Sequence, residues 1–338
     1  MDSAGPPTPD RILGDLWAFR RSAALKAAIE LDLFSKIAEG VGTVEAIARA
    51  CGASTHGTRI LCDFLTIGGH LLKEGSCYRL PAESASFLDR RSPTYIGTAS
   101  TFIVAPEMAA YMLNEAKSFV VKGGTTFRAG TSVKPENPIW VDFARYMAPL
   151  VAPLAVALAE VLEVAGAGPL DVLDIAAGHG LFGIAIATRN PKARITAVDW
   201  PAVLEVAAEN ASKAGVAERI QKLPGSAFEV DLGTGRDLAL VTNFVHHFSR
   251  AQSIQFLRRL HNALKPGGRV AVLDFMPNPD RITPPIAASF AFTMLAMTEE
   301  GDAYTTEEHQ AMLEEAGFRG PRIRELGVSE HRIAIAEA

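Results

Sequence analysis

Apolar side chains recur at helical spacing from residue 11 to 39, at Ile12, Leu13, Leu16, Phe19, Ala23, Ala27 and Leu31, which predicts a helix over that stretch. Thr43 then opens a short helix with Glu45 in its first turn, and Gly52 ends it. Ser54 can cap a second helix running to about Thr66. After Gly68 and Gly69 the period changes to alternation in two short pieces, 71–74 and 78–80. Helix, turn, helix and a small ribbon make a winged helix. Residues 94–164 read as helical, with loops near 123–130 and 135–138.

From residue 170 the pattern alternates between aliphatic runs and amphipathic stretches. Strands are expected at 170–176, 194–198, 220–223, 238–241 and 269–275, and a closing pair at 322–325 and 332–336. Helices are expected at 181–189, 201–214, 251–264, 286–297 and 306–316. Repeated units of this length imply an α/β fold with a mostly parallel sheet between helices. Ligands of such sheets sit outside the carboxyl ends of the strands. The expected division is 1–92, 93–164 and 165–338.

Composition narrows the class. The 338 residues are 48% hydrophobic and 21% charged, with a net charge of −5, which describes a compact protein. No apolar run has the length of a membrane span and no signal peptide is evident, so a cytoplasmic protein is expected. Residues 1–9 read as a frayed tail. Cys51, Cys62 and Cys77 are odd in number and lack ligand spacing, so free thiols and no metal site are expected. A winged helix raises the question of DNA binding. Residues 1–90 hold ten Lys and Arg against eleven Asp and Glu. The second helix carries Arg59 but mainly Ile60, Leu61, Phe64, Leu65 and Ile67, without the basic face that phosphate contacts require. Helix packing or a dimer interface suits that surface better, and no nucleic-acid or membrane partner is expected.

The turn after the first sheet strand reads Asp174-Ile175-Ala176-Ala177-Gly178-His179-Gly180-Leu181-Phe182-Gly183. Gly178, Gly180 and Gly183 fit G-x-G-x-x-G, and Asp199 ends the next strand 21 residues after Gly178, so a dinucleotide is one reading. Asp174 argues against it, because a carboxylate there would repel a pyrophosphate. S-adenosylmethionine has no phosphate and carries an ammonium and a sulfonium, which a carboxylate attracts. Leu264-Lys265-Pro266-Gly267-Gly268, before the fifth strand, is a turn that recurs at this place in methyltransferases with such a sheet. S-adenosylmethionine is the expected cofactor.

These segments carry a wider likeness. With Asp199-Trp200-Pro201, residues 225–228 and 243–248, and Leu313-Glu314-Glu315-Ala316-Gly317-Phe318, the whole chain resembles the caffeate and acetylserotonin type of small-molecule O-methyltransferases, in its bacterial branch. The resemblance implies a Rossmann-like methyltransferase domain behind a winged-helix dimerisation domain, in homodimers that share their pockets. It implies cofactor contacts at Asp174, Ala176, Gly178 and Gly180, ribose contacts at Asp199, adenine against Trp200, and a frame from Gly225, Ser226, Ala227, Phe228, Thr242 and Asn243. His246 falls where the family has its general base, with His247 beside it. Histidine is poised near neutral pH to take a proton from a phenol, whose pKa is about 10.

The chain departs from the family at several places. Ala176 replaces the first loop glycine, which suits an ordinary backbone conformation there. His247 and Ser226 stand where plant members have Asp, and Thr242 where they have Lys. The two acids that steady the base fall near Asn278 and Ala303, so a base without carboxylate support is expected. Candidate pocket residues are Phe102, Met108, Trp140, Phe143, Met147, His247, Phe290, Met294 and Met297; plain core packing is the alternative for each. The other histidines carry no such argument, and His261 and His309 read as helix-surface residues. The function expected is methyl transfer to a hydroxyl of a small, mostly apolar, aromatic molecule. Methylation at carbon is the runner-up, because it does not need the lost acids. A nicotinamide oxidoreductase rests only on the glycine spacing, and a DNA-binding regulator only on the winged helix.

Overall fold

The computed structural model describes residues 7–127 and 136–338. The chain forms two compact units, one up to Pro106 and one from Glu107 onward. The first six residues of the expected tail, and 128–135 of the expected loops, lie outside the described residues.

In the first unit the expected helix over 11–39 is three helices, Asp10–Leu16, Phe19–Glu30 and Leu33–Ala38. The second break is at Asp32, whose φ of 54° is left-handed and cannot continue a right-handed helix. Its carboxylate accepts from Ser35 Oγ at 2.6 Å. The helix Asp10–Leu16 buries none of its residues, and Ile12, Leu16, Trp17 and Phe19 are exposed.

Helices Val44–Ala50 and Thr55–Ile67 follow, capped by Thr43 and Ser54. The ribbon pairs β1 (Leu72–Glu74) with β2 (Cys77–Arg79). Leu33, Phe34, Ile47, Leu65, Leu71 and Tyr78 form the core. Asp63 accepts from Tyr78 Oη at 2.6 Å and pairs with Arg59 of its own helix and Lys73 of the ribbon, while Arg79 of the ribbon pairs with Glu74, so both basic groups of the ribbon are already matched. Cys62 is fully buried, and burial pushes its thiol up to about 12, which suits an inert core thiol. All three cysteines are free.

The second unit is built on a seven-stranded sheet. Its strands are β3 (Asp171–Ile175), β4 (Arg194–Asp199), β5 (Ile220–Pro224), β6 (Arg236–Thr242), β7 (Leu264–Asp274), β8 (Arg319–Glu325) and β9 (Arg332–Glu337). Their order is β5-β4-β3-β6-β7-β9-β8. The first five in that order run parallel; β9 is antiparallel to β7, and β8 antiparallel to β9.

Side chains alternate between two cores. Leu173, Ala239, Val241, Val270 and Val272 join Phe256, Leu257, Met312 and Leu313 on one face. Val172, Leu238, Leu240, Ala271 and Leu273 join Leu154, Leu158, Phe182 and Ile186 on the other. Burial on both faces is why these strands read as continuous aliphatic runs. β7 begins five residues earlier than expected. The Lys265-Pro266-Gly267-Gly268 turn belongs to it, because Gly267 N–H donates to the Ala338 carbonyl at 3.0 Å and Ala338 N–H to the Gly268 carbonyl at 2.8 Å.

Among the described residues no single helix is long and apolar enough to cross a membrane. The apolar helix Ala148–Val161 instead buries Val151, Leu154 and Leu158. β3 sits where the strand order reverses, with β4 on one side and β6 on the other, so the crevice at their carboxyl ends is the place for a ligand.

Candidate active site

The turn after β3 is held by two aspartates. Asp174, wholly buried, accepts from Gly183 N–H through Oδ2 at 3.0 Å. A Cβ on Gly183 would stand 2.7 Å from that oxygen and 2.8 Å from Ile195 Cγ2, so only glycine lets the helix Leu181–Arg189 start this close. Asp199, at the end of β4, accepts from Gly178 N–H at 2.8 Å through Oδ2 and from Trp200 N–H at 2.7 Å through Oδ1. Gly180, with φ of 74°, sits against Ala207, 2.9 Å from where its Cβ would be. Ala176 departs from the expectation of ordinary backbone. Its φ is 51°, so it keeps the left-handed shape that glycine takes without strain.

Asp174 lies behind the turn, and its Oδ1 is buried without a hydrogen-bond partner. Burial pushes its carboxyl up to about 7, against the pull of the Gly183 N–H. Burial likewise lifts Asp199 to about 6, against the Gly178 and Trp200 N–H groups. Two carboxyls that ionise reluctantly mark a place suited to a positively charged ligand.

No lysine or arginine occurs at 174–180, 199–203, 225–228 or 242–247, which suits a ligand without phosphates. Asp199 is half-buried, and each of its oxygens keeps a second lone pair for a sugar hydroxyl. The residues present therefore fit S-adenosylmethionine: Asp199 could take the ribose and the Asp174-backed turn the methionine part.

The frame around this turn comes from the ends of β4, β5 and β6. Trp200 caps the helix Pro201–Lys213 and packs with Trp140, Val141, Ala144 and Val203. Gly225, with φ of 134°, donates to the Asp199 carbonyl at 2.9 Å. Ser226 Oγ accepts from Phe228 N–H at 3.3 Å, and Ala227 is buried. Phe228 joins Phe244, Phe248 and Phe256 in a ring cluster with centroids 4.8–6.0 Å apart. Thr242 is buried, and Asn243, left-handed with φ of 51°, faces His331 Nε2 at 3.1 Å.

The turn after β6 carries His246 and His247. His246 Nδ1 lies 2.6 Å from Oδ1 of Asp274, the last residue of β7. The two side chains are 4% and 0% exposed. His246 is therefore not without a carboxylate, and the expectation built on Asn278 and Ala303 is corrected. Asn278 instead bonds Thr283 and Arg332, and Ala303 is buried. The acid stands four residues before Asn278, inside the strand. Its sequence signal was available: an aspartate closing the apolar run 270–273, at the strand end where ligands of such sheets bind.

Burial raises the Asp274 carboxyl, but the charge and hydrogen bond of His246, and the charge of His309, hold it below the usual range. His309 is itself buried, not on the helix surface, and His261 is half-buried with its ring 5.1 Å from Phe318.

Rings link the two histidines to the turn after β3. Trp140 meets His247 at 5.2 Å and Phe143 at 5.6 Å, and Phe143 stacks on His179 at 6.2 Å. Phe290 meets His246 at 5.0 Å from the helix Pro285–Met297. Met297 and Met108 pack instead with Tyr111 and Phe119. Met294 is buried, Met147 is half-buried ahead of helix Ala148–Val161, and Phe102 belongs to the first unit.

Comparison with known proteins settles the family. Residues 142–319 match the O-methyltransferase domain and residues 16–90 the O-methyltransferase dimerisation domain. The chain belongs to the O-methyltransferase family. It is 30% identical to the mitomycin biosynthesis 6-O-methyltransferase of Streptomyces lavendulae, over 98% of this chain and 94% of that one. A crystal structure from Nostoc punctiforme PCC 73102, of a protein assigned as an O-methyltransferase, superposes with a TM-score of 0.94 at 44% identity, covering 99% and 100% of the two chains. Human N-acetylserotonin methyltransferase, solved with S-adenosylmethionine, shares the fold at 22% identity, with a TM-score of 0.84 over 100% of this chain and 99% of that one. This O-methyltransferase family member is thus a methyltransferase that uses S-adenosylmethionine, and the nicotinamide reading falls.

Proposed function

We propose that this O-methyltransferase moves a methyl group to a hydroxyl oxygen of a small, mostly apolar aromatic molecule, with His246 as general base. The observation that carries the reading is the buried pair of His246 Nδ1 and Asp274 Oδ1. S-adenosylmethionine supplies an electrophilic methyl on a sulfonium sulfur. Asp274, an acceptor only, keeps the His246 proton on Nδ1 and leaves Nε2 as the basic atom. The carboxylate also stabilises the imidazolium formed when that nitrogen takes a proton. A general base so placed contributes roughly 10²–10⁴-fold. Holding the oxygen in line supplies much of the rest.

The ring wall of Trp140, Phe143 and Phe290 suits a flat apolar acceptor. Relatives named for a tetracenomycin 8-O-methyl transferase and a 3-hydroxy-5-methyl-1-naphthoate 3-O-methyltransferase support the same class. Methylation at carbon loses its ground, which was the absence of an acid beside the base. The dimerisation domain and the exposed Ile12, Leu16, Trp17 and Phe19 support a homodimer.

The test is a calorimetric titration with S-adenosylhomocysteine, followed by a screen of phenolic acceptors against His246→Ala. Micromolar binding lost in Asp199→Ala, and turnover lost in His246→Ala, support the reading. Full turnover by His246→Ala overturns it. Light scattering at micromolar concentration checks the dimer, and a monomer there refutes a shared pocket.

A further inference from the structure

Asp274 engages only one of its oxygens. Oδ1 meets His246 Nδ1 at 2.6 Å and accepts from Phe275 N–H at 2.8 Å, while Oδ2 is buried without a hydrogen-bond partner. Nε2 of His309 is buried without one as well. Asp274 and His309 are 0% and 2% exposed, and polar atoms this deep are nearly always partnered.

The chain brings these two residues together. Side chains alternate along β7, and Val270 and Val272 lie on the sheet face covered by Met312 and Leu313 of the helix Thr306–Glu315. Asp274 follows Val272 by two positions, so it projects from that same face. His309 precedes Met312 and Leu313 on the helix and is buried with them, which puts it on the stripe turned to the sheet, one turn nearer the N-terminus. That end of the helix is tied to the exit of β7, because Thr306 N–H donates to the Pro277 carbonyl at 3.0 Å.

Burial holds His309 at about 4, against the upward pull of the Asp274 and Glu308 charges, so it is an uncharged imidazole at neutral pH. The third histidine that feels Asp274 is His331. Its ring is engaged elsewhere, with Nε2 3.1 Å from Asn243 Oδ1 and Nδ1 3.0 Å from Ser329 Oγ. His309 is left to answer Oδ2.

We propose, on the reading that His246 is the base, that His309 is a positioning residue for it: one ordered water, donating to Asp274 Oδ2 and accepting from His309 Nε2–H, fastens the second oxygen of the carboxylate. The roles are complementary. A carboxylate only accepts, a neutral imidazole with its hydrogen on Nε2 donates from that atom, and water does both. Buried waters sit between groups of this kind. With both oxygens engaged, the carboxylate keeps its plane toward His246 Nδ1 and stays ionised in a dry interior. His309 thus acts through Asp274.

The experiment is NMR of protein labelled with ¹⁵N in histidine and ¹³C in aspartate, saturated with S-adenosylhomocysteine, which needs no acceptor. At pH 7.5 His309 should carry its hydrogen on Nε2. His309→Phe keeps a ring in place and removes the donor. The Asp274 carboxyl should then titrate about one pH unit higher, a tenfold change in its ionisation constant, and His309→Gln, which restores a donor, should reverse the shift. A crystal structure should place one water within about 2.7–3.2 Å of both atoms. A hydrogen on Nδ1 of His309 instead, an Asp274 titration unmoved in folded His309→Phe, or density without that water each overturns the proposal. If His309→Phe does not fold, the wild-type tautomer and the water still decide. The reading of His246 as base fails separately, by full turnover in His246→Ala.

Discussion

Gly301 lies against the carbonyl oxygen of His246 so closely that a Cβ on Gly301 would overlap it, and would also crowd Thr298 Oγ1. The segment is fastened there by Asp302 N–H, which donates to the same carbonyl at 3.1 Å, and by Gly301 N–H, which donates to Thr298 Oγ1 at 2.8 Å. The backbone under the two histidines is thus set from a distant part of the chain. Gly301→Ala should cost about 1–3 kcal/mol by overpacking and lower kcat, while S-adenosylhomocysteine affinity stays within about twofold, or ~0.4 kcal/mol. Thermal unfolding and calorimetry on one preparation check it. Unchanged stability and kcat would mean that the segment yields freely.

Asp274→Asn should keep the shape of the site and lose the charge that fixes the His246 tautomer. We expect kcat to fall roughly 10²–10⁴-fold, the scale of general-base catalysis, with cofactor affinity retained. Steady-state kinetics with an acceptor found by the screen read this directly. An equal loss in affinity would show that the acid holds up the cofactor turn as well.

Cofactor affinity should fall with acid. Burial sets the Asp199 carboxyl at about 6 and that of Asp174 at about 7 in the free protein. A cationic ligand that donates hydrogen bonds to them favours the carboxylate form, so binding lowers both values and releases protons. The sign is that affinity holds above pH 7 and declines as pH drops through 6, up to about tenfold per unit for each group below its free value. Calorimetry at pH 8, 7, 6 and 5 tests this, and Asp199→Asn should flatten the Asp199 part of the profile. A flat wild-type profile would show that neither carboxyl titrates in this range.

Ala176→Gly should be tolerated. A non-glycine residue at left-handed φ carries about 1–2 kcal/mol of strain, whereas glycine adds about 0.4–1 kcal/mol of unfolded-state freedom. The balance predicts a gain of between about 0 and 1.6 kcal/mol and unchanged S-adenosylhomocysteine binding. Denaturant unfolding decides it, and a clear loss would mean that the alanine methyl makes contacts worth more than the strain.

The parallel sheet was legible because both faces are buried, so each strand wrote itself as an aliphatic run. The cofactor turn was legible because close approach to Ala207 and Asp174 leaves little choice but glycine at 180 and 183. The break at Asp32 was not, since the residues on either side keep helical spacing and only the backbone angle differs. Asp274 was not legible as the partner of His246, because the resemblance points to the loop positions Asn278 and Ala303. The pairing across 28 positions places the acid in the strand. His309 sits in Thr306-Glu307-Glu308-His309-Gln310, whose polarity reads as surface; the fold of that helix onto the sheet buries it. Nothing local in Thr298–Asp302 announces that Gly301 touches His246.

The two halves of the site are anchored by different kinds of matter. The cofactor turn is fixed through main-chain N–H groups of Gly178, Gly183 and Trp200, tied to two aspartates. The ring wall is made of side chains, Trp140 and Phe143 on one helix and Phe290 on another. On the proposed reading, selection for a new acceptor can rewrite Phe290, which meets His246 and Phe275, more freely than Trp140 and Phe143, which pack with Trp200 and His179, so this scaffold should diversify its acceptors first from the helix that carries Phe290.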